Sequence, residues 1–137
     1  PAVGKIIDAI DRERLAVSAG LGLQMTTMHY LEIQWYGHQG AAGPTLPAIM
    51  STNPAYAGIM APGTVNYRYL TEDVPYGMVP METLGAFVGV PTPITSAIID
   101  IAGEVLGVDF RKKARDLKSL GLDRMTLAEL QSYVRRA

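Results

Sequence analysis

The residues best placed to do chemistry fall in one short stretch, Tyr67-Arg68-Tyr69-Leu70-Thr71-Glu72-Asp73-Val74-Pro75-Tyr76-Gly77. It holds an arginine, two adjacent carboxylates and three tyrosines. Arg68 is the only Lys or Arg between Leu15 and Phe110, and no charged residue occurs from Ile33 to Tyr67. An arginine in so apolar a setting needs a partner, because a charge withdrawn from water and left unpaired is costly. Its planar fork suits a carboxylate, internal or on a ligand. Two readings of the residues stand side by side. In one, Arg68 simply pairs with Glu72 a helical turn later, a contact worth a few tenths of a kcal/mol when exposed. In the other, Arg68 takes a ligand's carboxylate and Asp73 is free to orient an acid–base group. Tyr67, Tyr69 and Tyr76 have an ordinary reading too, as packed rings with satisfied hydroxyls.

Other chemistries find little support. The chain has no cysteine, which removes disulfides, cysteine zinc sites, iron–sulfur clusters and thiol catalysis together. His29 and His38 do not have metal-ligand spacing, and no metal site is expected. His29 is expected within or beside a helix face, and His38 in the loop after Gly37. Gly20-Leu21-Gly22-Leu23 lacks the third glycine and the preceding strand of a dinucleotide site, and reads as a helix C-terminus. No phosphate-binding loop is present, and no serine sits in a G-x-S-x-G context. The formal net charge of -1 gives no basic field for nucleic acid or an anionic membrane. No apolar run reaches the ~18 residues of a membrane-spanning helix. The start, Pro1-Ala2-Val3-Gly4-Lys5, has no signal-peptide pattern. A cytoplasmic location is therefore expected.

These groups need a scaffold, and 137 residues supply about one domain. Helical signals dominate. Val3, Ile6, Ile7, Ile10, Leu15 and Val17 form a rough stripe at 3.6 spacing, ending at Gly20 and Gly22. Thr26 or Thr27 caps a second helix through about Tyr36, stopped by Gly37. Thr45 begins a short helix toward Asn53. A helix over Val79 to Val88 ends at Gly89. Thr92-Pro93 opens another, with Thr as cap and Pro at the first helical position. Its buried face is expected from Ile94, Ile98, Ile101, Val105 and Leu106, up to Gly107. Asp109 caps a helix through about Leu120, closed by Gly121. Thr126-Leu127-Ala128-Glu129 fits a capping box. Only Val65–Leu70 has strand-like chemistry, and one such segment makes no sheet. The expected class is all-α, a single domain of six to seven helices over residues 1–137.

The stretch from Arg68 through Met78-Val79-Pro80 resembles the signature of the opine dehydrogenase family, in the helical C-terminal domain of its octopine/nopaline-type members. The flanks resemble that domain as well: Ile10-Asp11-Arg12-Glu13-Arg14-Leu15-Ala16-Val17, then Leu84-Gly85 through Val90-Pro91-Thr92-Pro93, then Gly107-Val108-Asp109-Phe110-Arg111 with Leu117–Leu122. The resemblance covers nearly the whole chain. It implies an enzyme with an N-terminal Rossmann domain that binds NAD or NADP, followed by this all-α domain. Such enzymes join an amino acid to a 2-oxo acid and reduce the imine to a secondary amine dicarboxylate, an opine. The substrate lies in the cleft between the domains, where a histidine held by an aspartate serves as acid and base. Carried over by position, Asp73 matches that aspartate and Arg68 the arginine that engages substrate carboxylate, so the resemblance implies that the two line one concave surface and that Arg68 is not spent wholly on Glu72. Glu72, Pro75 and Gly77 match positions that shape the loop.

This sequence departs from the pattern in one respect. The family's catalytic histidine stands in an Asn-x-x-x-His-Pro context near the start of the helical domain. Neither His29 nor His38 is followed by proline, and the role passes to neither. The chain is therefore expected to be the later part of the helical domain, without the Rossmann domain, the cofactor site or the catalytic base, and inactive alone. The surface facing the missing parts is expected to be unusually apolar, with Ile33–Tyr67 supplying some of it, so that self-association is plausible. The alternative is a stand-alone helical interaction or dimerisation module without chemistry.

Overall fold

The computed structural model describes residues 2–136, and all regular elements among them are helical. The α-helices are α1 (Ala2–Gly20), α2 (Met28–Tyr36), α3 (Leu46–Thr52), α4 (Arg68–Thr71), α5 (Val79–Phe87), α6 (Pro93–Leu106), α7 (Phe110–Lys113) and α8 (Leu127–Val134). Six of these are longer than one turn and a half, in keeping with the expected all-α class. No described helix is long and apolar enough to cross a membrane.

Local chemistry sets most of the boundaries. Thr27, Thr45, Asp109 and Thr126 each accept a backbone N–H at the start of a helix, and Thr126 with Glu129 closes a full capping box. Gly107 ends α6 at φ 62°, a left-handed stop that an L side chain adopts only under strain. Gly37, by contrast, does not end α2 in that way. It stays right-handed and opens a short 3-10 turn, Gly37–Gln39, which Gly40 closes at φ 100°. The segment Val65–Leu70 forms no strand: Tyr67 is extended, but Arg68 to Leu70 lie in α4. The helix expected through Leu120 stops at Lys113, because Ala114 is extended and residues 116–122 fold into successive turns.

The principal buried cluster comprises Val74, Val79, Ile99, Ala102 and Phe110, with Leu70, Met78, Leu106, Val108 and Ala114 packed against it. It joins α5, α6 and α7 to the segment Val74–Met78. The expected inner face of α6 is largely rotated outward. Thr95, Ile99 and Ala102 are buried, whereas Ile94, Ile101 and Val105 are exposed. Isoleucines stand on more than one side of this helix, so its inner face is not marked by them alone. In α1, Val17 is buried as expected, but Val3 and Ile6 are exposed. Ile33, Trp35, Ile59, Met60, Val65 and Tyr67 are also exposed.

Two buried carboxylates tie remote segments together without a cation. Glu13, 9% exposed, accepts from the N–H groups of Ile94 (2.7 Å) and Thr95 (2.9 Å) and from the Thr95 hydroxyl (2.6 Å). It is thus the cap of α6, in place of Thr92, whose side chain makes no cap. A carboxylate there also faces the positive end of the helix dipole. Glu32, 3% exposed, accepts from Asn53 (3.1 Å) and from the Tyr56 hydroxyl (2.7 Å).

The bond to Glu32, reinforced by burial and by that carboxylate's charge, pushes the Tyr56 phenol up to about 12 from its usual 10.0. A phenol whose folded value is raised adds stability that is intact below pH 10 and is lost as pH climbs toward 12. Tyr56→Phe is expected to remove that part of the alkaline loss. Denaturant midpoints across the window measure it, and parallel curves for the variant and wild type would show no linkage.

On another face, Arg111 forks onto Glu82 at 2.6 and 2.7 Å and also bonds Asp100, locking α7 to α5 and α6. The guanidinium holds the Glu82 carboxyl below its usual value.

Candidate functional site

Arg68 opens α4, a single turn whose amide bonds run on from Tyr67. Glu72 and Asp73 follow directly, and the chain then widens into a π-turn over Val74–Met78 before α5 begins. The expected loop is therefore a continuous helical stretch with one wide turn, the kind of irregularity often found at functional sites. The π-turn fits its residues. Val74 and Pro75 are buried, Val74 in the principal cluster. Proline has no N–H to offer a ladder, and its carbonyl instead accepts from the Arg115 amide at 3.3 Å. Asp73 is thus an exposed carboxylate whose next two neighbours are anchored in the interior.

Around Asp73 lies an open hollow of about 550 Å³ lined by Glu72, Asp73, Tyr76 and Gly77. Gly77 has no positive φ and no neighbour within 4 Å of where a Cβ would stand. Its contribution is the space that a side chain would fill. Tyr76 is held from behind by the Arg115 guanidinium, 5.7 Å from its ring centre. Asp73 makes no side-chain hydrogen bond or ion pair among the described residues, so its acceptor capacity is open.

Arg68 is not among the residues lining this hollow. Its Nη2 lies 3.5 Å from a Glu72 oxygen, and the two side chains are 62% and 56% exposed. Arg68 makes no other ion pair or hydrogen bond among the described residues. At this distance and exposure the pair is weak, under about 1 kcal/mol, and leaves most of the guanidinium's five donors free. Beside it, Tyr67 and Tyr69 meet edge to face at 5.0 Å.

The remaining candidates fall elsewhere. His29 is half-buried on α2, with Nε2 3.1 Å from the Gly43 carbonyl oxygen. His38 is exposed in the 3-10 turn, 3.2 Å from the Gln39 amide. No group of three or more metal-ligating side chains occurs among the described residues. Gly20-Leu21-Gly22-Leu23 closes α1, with Gly22 at φ 77°, and no strand precedes it. Reading the sequence missed Tyr76 as the shared wall of two hollows. It also missed Arg115, whose place behind Tyr76 has no local sequence signal.

Comparison with known proteins supplies the ancestry of this arrangement. A family profile described as "NAD/NADP octopine/nopaline dehydrogenase, alpha-helical domain" matches residues 1–106. An opine dehydrogenase from Arthrobacter sp. (strain 1C) is 37% identical over 135 residues, which are 98% of this chain and 36% of that protein. A vitopine synthase from Allorhizobium ampelinum is 34% identical over 122 residues, covering 89% of this chain and 33% of that protein. The chain thus spans about a third of the length of the relatives it matches. The solved structure of an octopine dehydrogenase with NADH and L-arginine superposes with a TM-score of 0.71 at 24% identity, over 77% of this chain and 30% of that one. That likeness shows the fold, and the profile over residues 1–106 shows that the chain belongs to the octopine/nopaline dehydrogenase family, as its helical domain.

Proposed function

We propose that this chain is the substrate-binding part of an NAD(P)-dependent opine dehydrogenase. The full-length protein would join an amino acid and a 2-oxo acid, consume one NAD(P)H and one proton, and release an opine, NAD(P)+ and water. The observation that carries the reading is the open carboxylate of Asp73, in backbone fixed by two buried neighbours and five positions after a partly free arginine, in a chain whose relatives are opine dehydrogenases. In this reading the cofactor and the catalytic histidine belong to the rest of the protein. The exposed apolar residues of α6 and of Ile33–Tyr67 are then surface for those parts to cover, or for a second copy.

Within this reading the chain's own residues do two things. Asp73 accepts a hydrogen bond from the imidazole, which sets its tautomer and stabilises its charged form. Arg68 presents spare donors to a substrate carboxylate and so fixes the orientation of the reacting carbon. The weak contact to Glu72 holds the guanidinium near its working position without saturating it.

The test is NAD(P)H oxidation by the full-length protein with amino acids and 2-oxo acids supplied in pairs. Turnover should require both. Arg68→Ala is expected to raise KM for one of the two by about tenfold or more, the worth of a charge-assisted contact, with cofactor affinity unchanged. Loss of cofactor affinity with both KM values intact would remove Arg68 from substrate binding.

A further inference from the structure

We propose that a second hollow, which shares Tyr76 with the one around Asp73, is a binding site for a small carboxylate with a short apolar chain, and that Lys113 is its anchor. The hollow measures about 270 Å³. Leu106, Val108 and Phe110 give it an apolar floor, and Asn66, Tyr76 and Lys113 stand around it. The three cations of α7 differ in their commitments. Arg111 is bound to Glu82 and Asp100, and Lys112 pairs with Asp109 at 3.0 Å. Lys113 alone has no carboxylate within 4.0 Å among the described residues. The Asn66 side-chain amide and the Tyr76 hydroxyl likewise make no hydrogen bond among them. One ammonium, one amide and one phenol are therefore unengaged around a greasy floor, while Glu72 and Asp73 border the neighbouring hollow and not this one. An apolar floor with a few converging polar groups is the usual make-up of a small-molecule site. The sign of its one charge selects an anion, and the floor selects an apolar chain behind it.

The role of this site in turnover rests on the opine dehydrogenase reading. Within that reading, Lys113 is the cation for the carboxylate of one substrate, and the floor beside it contacts that substrate's side chain.

The probe is 4-methylpentanoate, compared with its neutral isostere 4-methylpentanamide, titrated calorimetrically into the full-length protein. The acid is expected to bind about tenfold more tightly than the amide. Lys113→Met should abolish that preference, whereas Lys112→Met, which removes the neighbouring paired cation, should leave it. Both lysines are exposed, so neither change threatens the fold. Equal binding of acid and amide, or an undiminished preference in Lys113→Met, would overturn the proposal. The readout is binding, not turnover. A protein without opine activity would still report on the hollow, and an active enzyme with no preference for the acid would lose this site alone.

Discussion

If the full-length protein is the proposed dehydrogenase, Asp73→Asn is expected to lower its kcat by about a hundredfold or more, with Tm unchanged to within about 2 °C. The stability half follows from the structure. Asp73 is exposed, makes no side-chain bond among the described residues, and sits in backbone held by buried Val74 and Pro75 rather than by its own carboxylate. The catalytic half follows from the proposed role, in which Asp73 holds an imidazole, and from what an amide cannot do there. Asn keeps the shape but loses the charge that stabilises an imidazolium, and its NH2 can face the ring and impose the wrong tautomer. General acid–base assistance is worth about 10²–10⁴ in rate, which sets the scale of the loss. A second readout separates this role from mere support. Removing a carboxylate beside an imidazole lowers the imidazole pKa. The acid limb of the kcat/KM profile should therefore move to lower pH. An unchanged limb and wild-type kcat would reduce Asp73 to a surface residue.

The scaffold around this site was far more legible than its geometry. Helix starts at Thr27, Thr45, Asp109 and Thr126 are local events, written within four residues, and they stand where the sequence puts them. Elements decided by distant partners were not readable in that way. Thr92-Pro93 has the chemistry of a start, yet the cap comes from Glu13, about eighty positions earlier. Nothing local to Glu13 on α1 marks it for that role. The face of α6 was misread because isoleucines lie on both sides of it, and the buried side is the one carrying Thr95, which binds Glu13. At the site, the residue types were legible and their relation was not. Charge scarcity singled out Arg68, Glu72 and Asp73, but the π-turn that follows Asp73 shifts residue directions by part of a turn. Which later residues wall the Asp73 hollow, Tyr76 and Gly77 among them, depends on that shift, and no spacing rule contains it.

Glu13→Ala is the change expected to damage the fold most, by about 3 kcal/mol or more. Truncation leaves the Ile94 and Thr95 N–H groups and the Thr95 hydroxyl without their acceptor, and Thr95 is fully buried. Each unsatisfied buried group costs roughly 1–3 kcal/mol. For a domain of this size, that total lowers Tm by about 10 °C. Glu13→Gln keeps one carbonyl acceptor and should lose less, about half as much, which separates the hydrogen bonds from the lost volume. Alanine and glutamine variants of equal stability would show that filling space, not capping, is what Glu13 contributes. The consequence reaches the site by a defined route. α6 carries Ile99 and Ala102, which pack in the cluster that holds Val74, and Val74 adjoins Asp73. A frayed start to α6 loosens the platform under the carboxylate without touching it. Turnover by Glu13→Ala should therefore match wild type well below its new Tm and fall as that temperature is approached, whereas Asp73→Asn is slow at every temperature. A Glu13→Ala enzyme that is slow even in the cold would mean that α6 positions the site more directly than through stability.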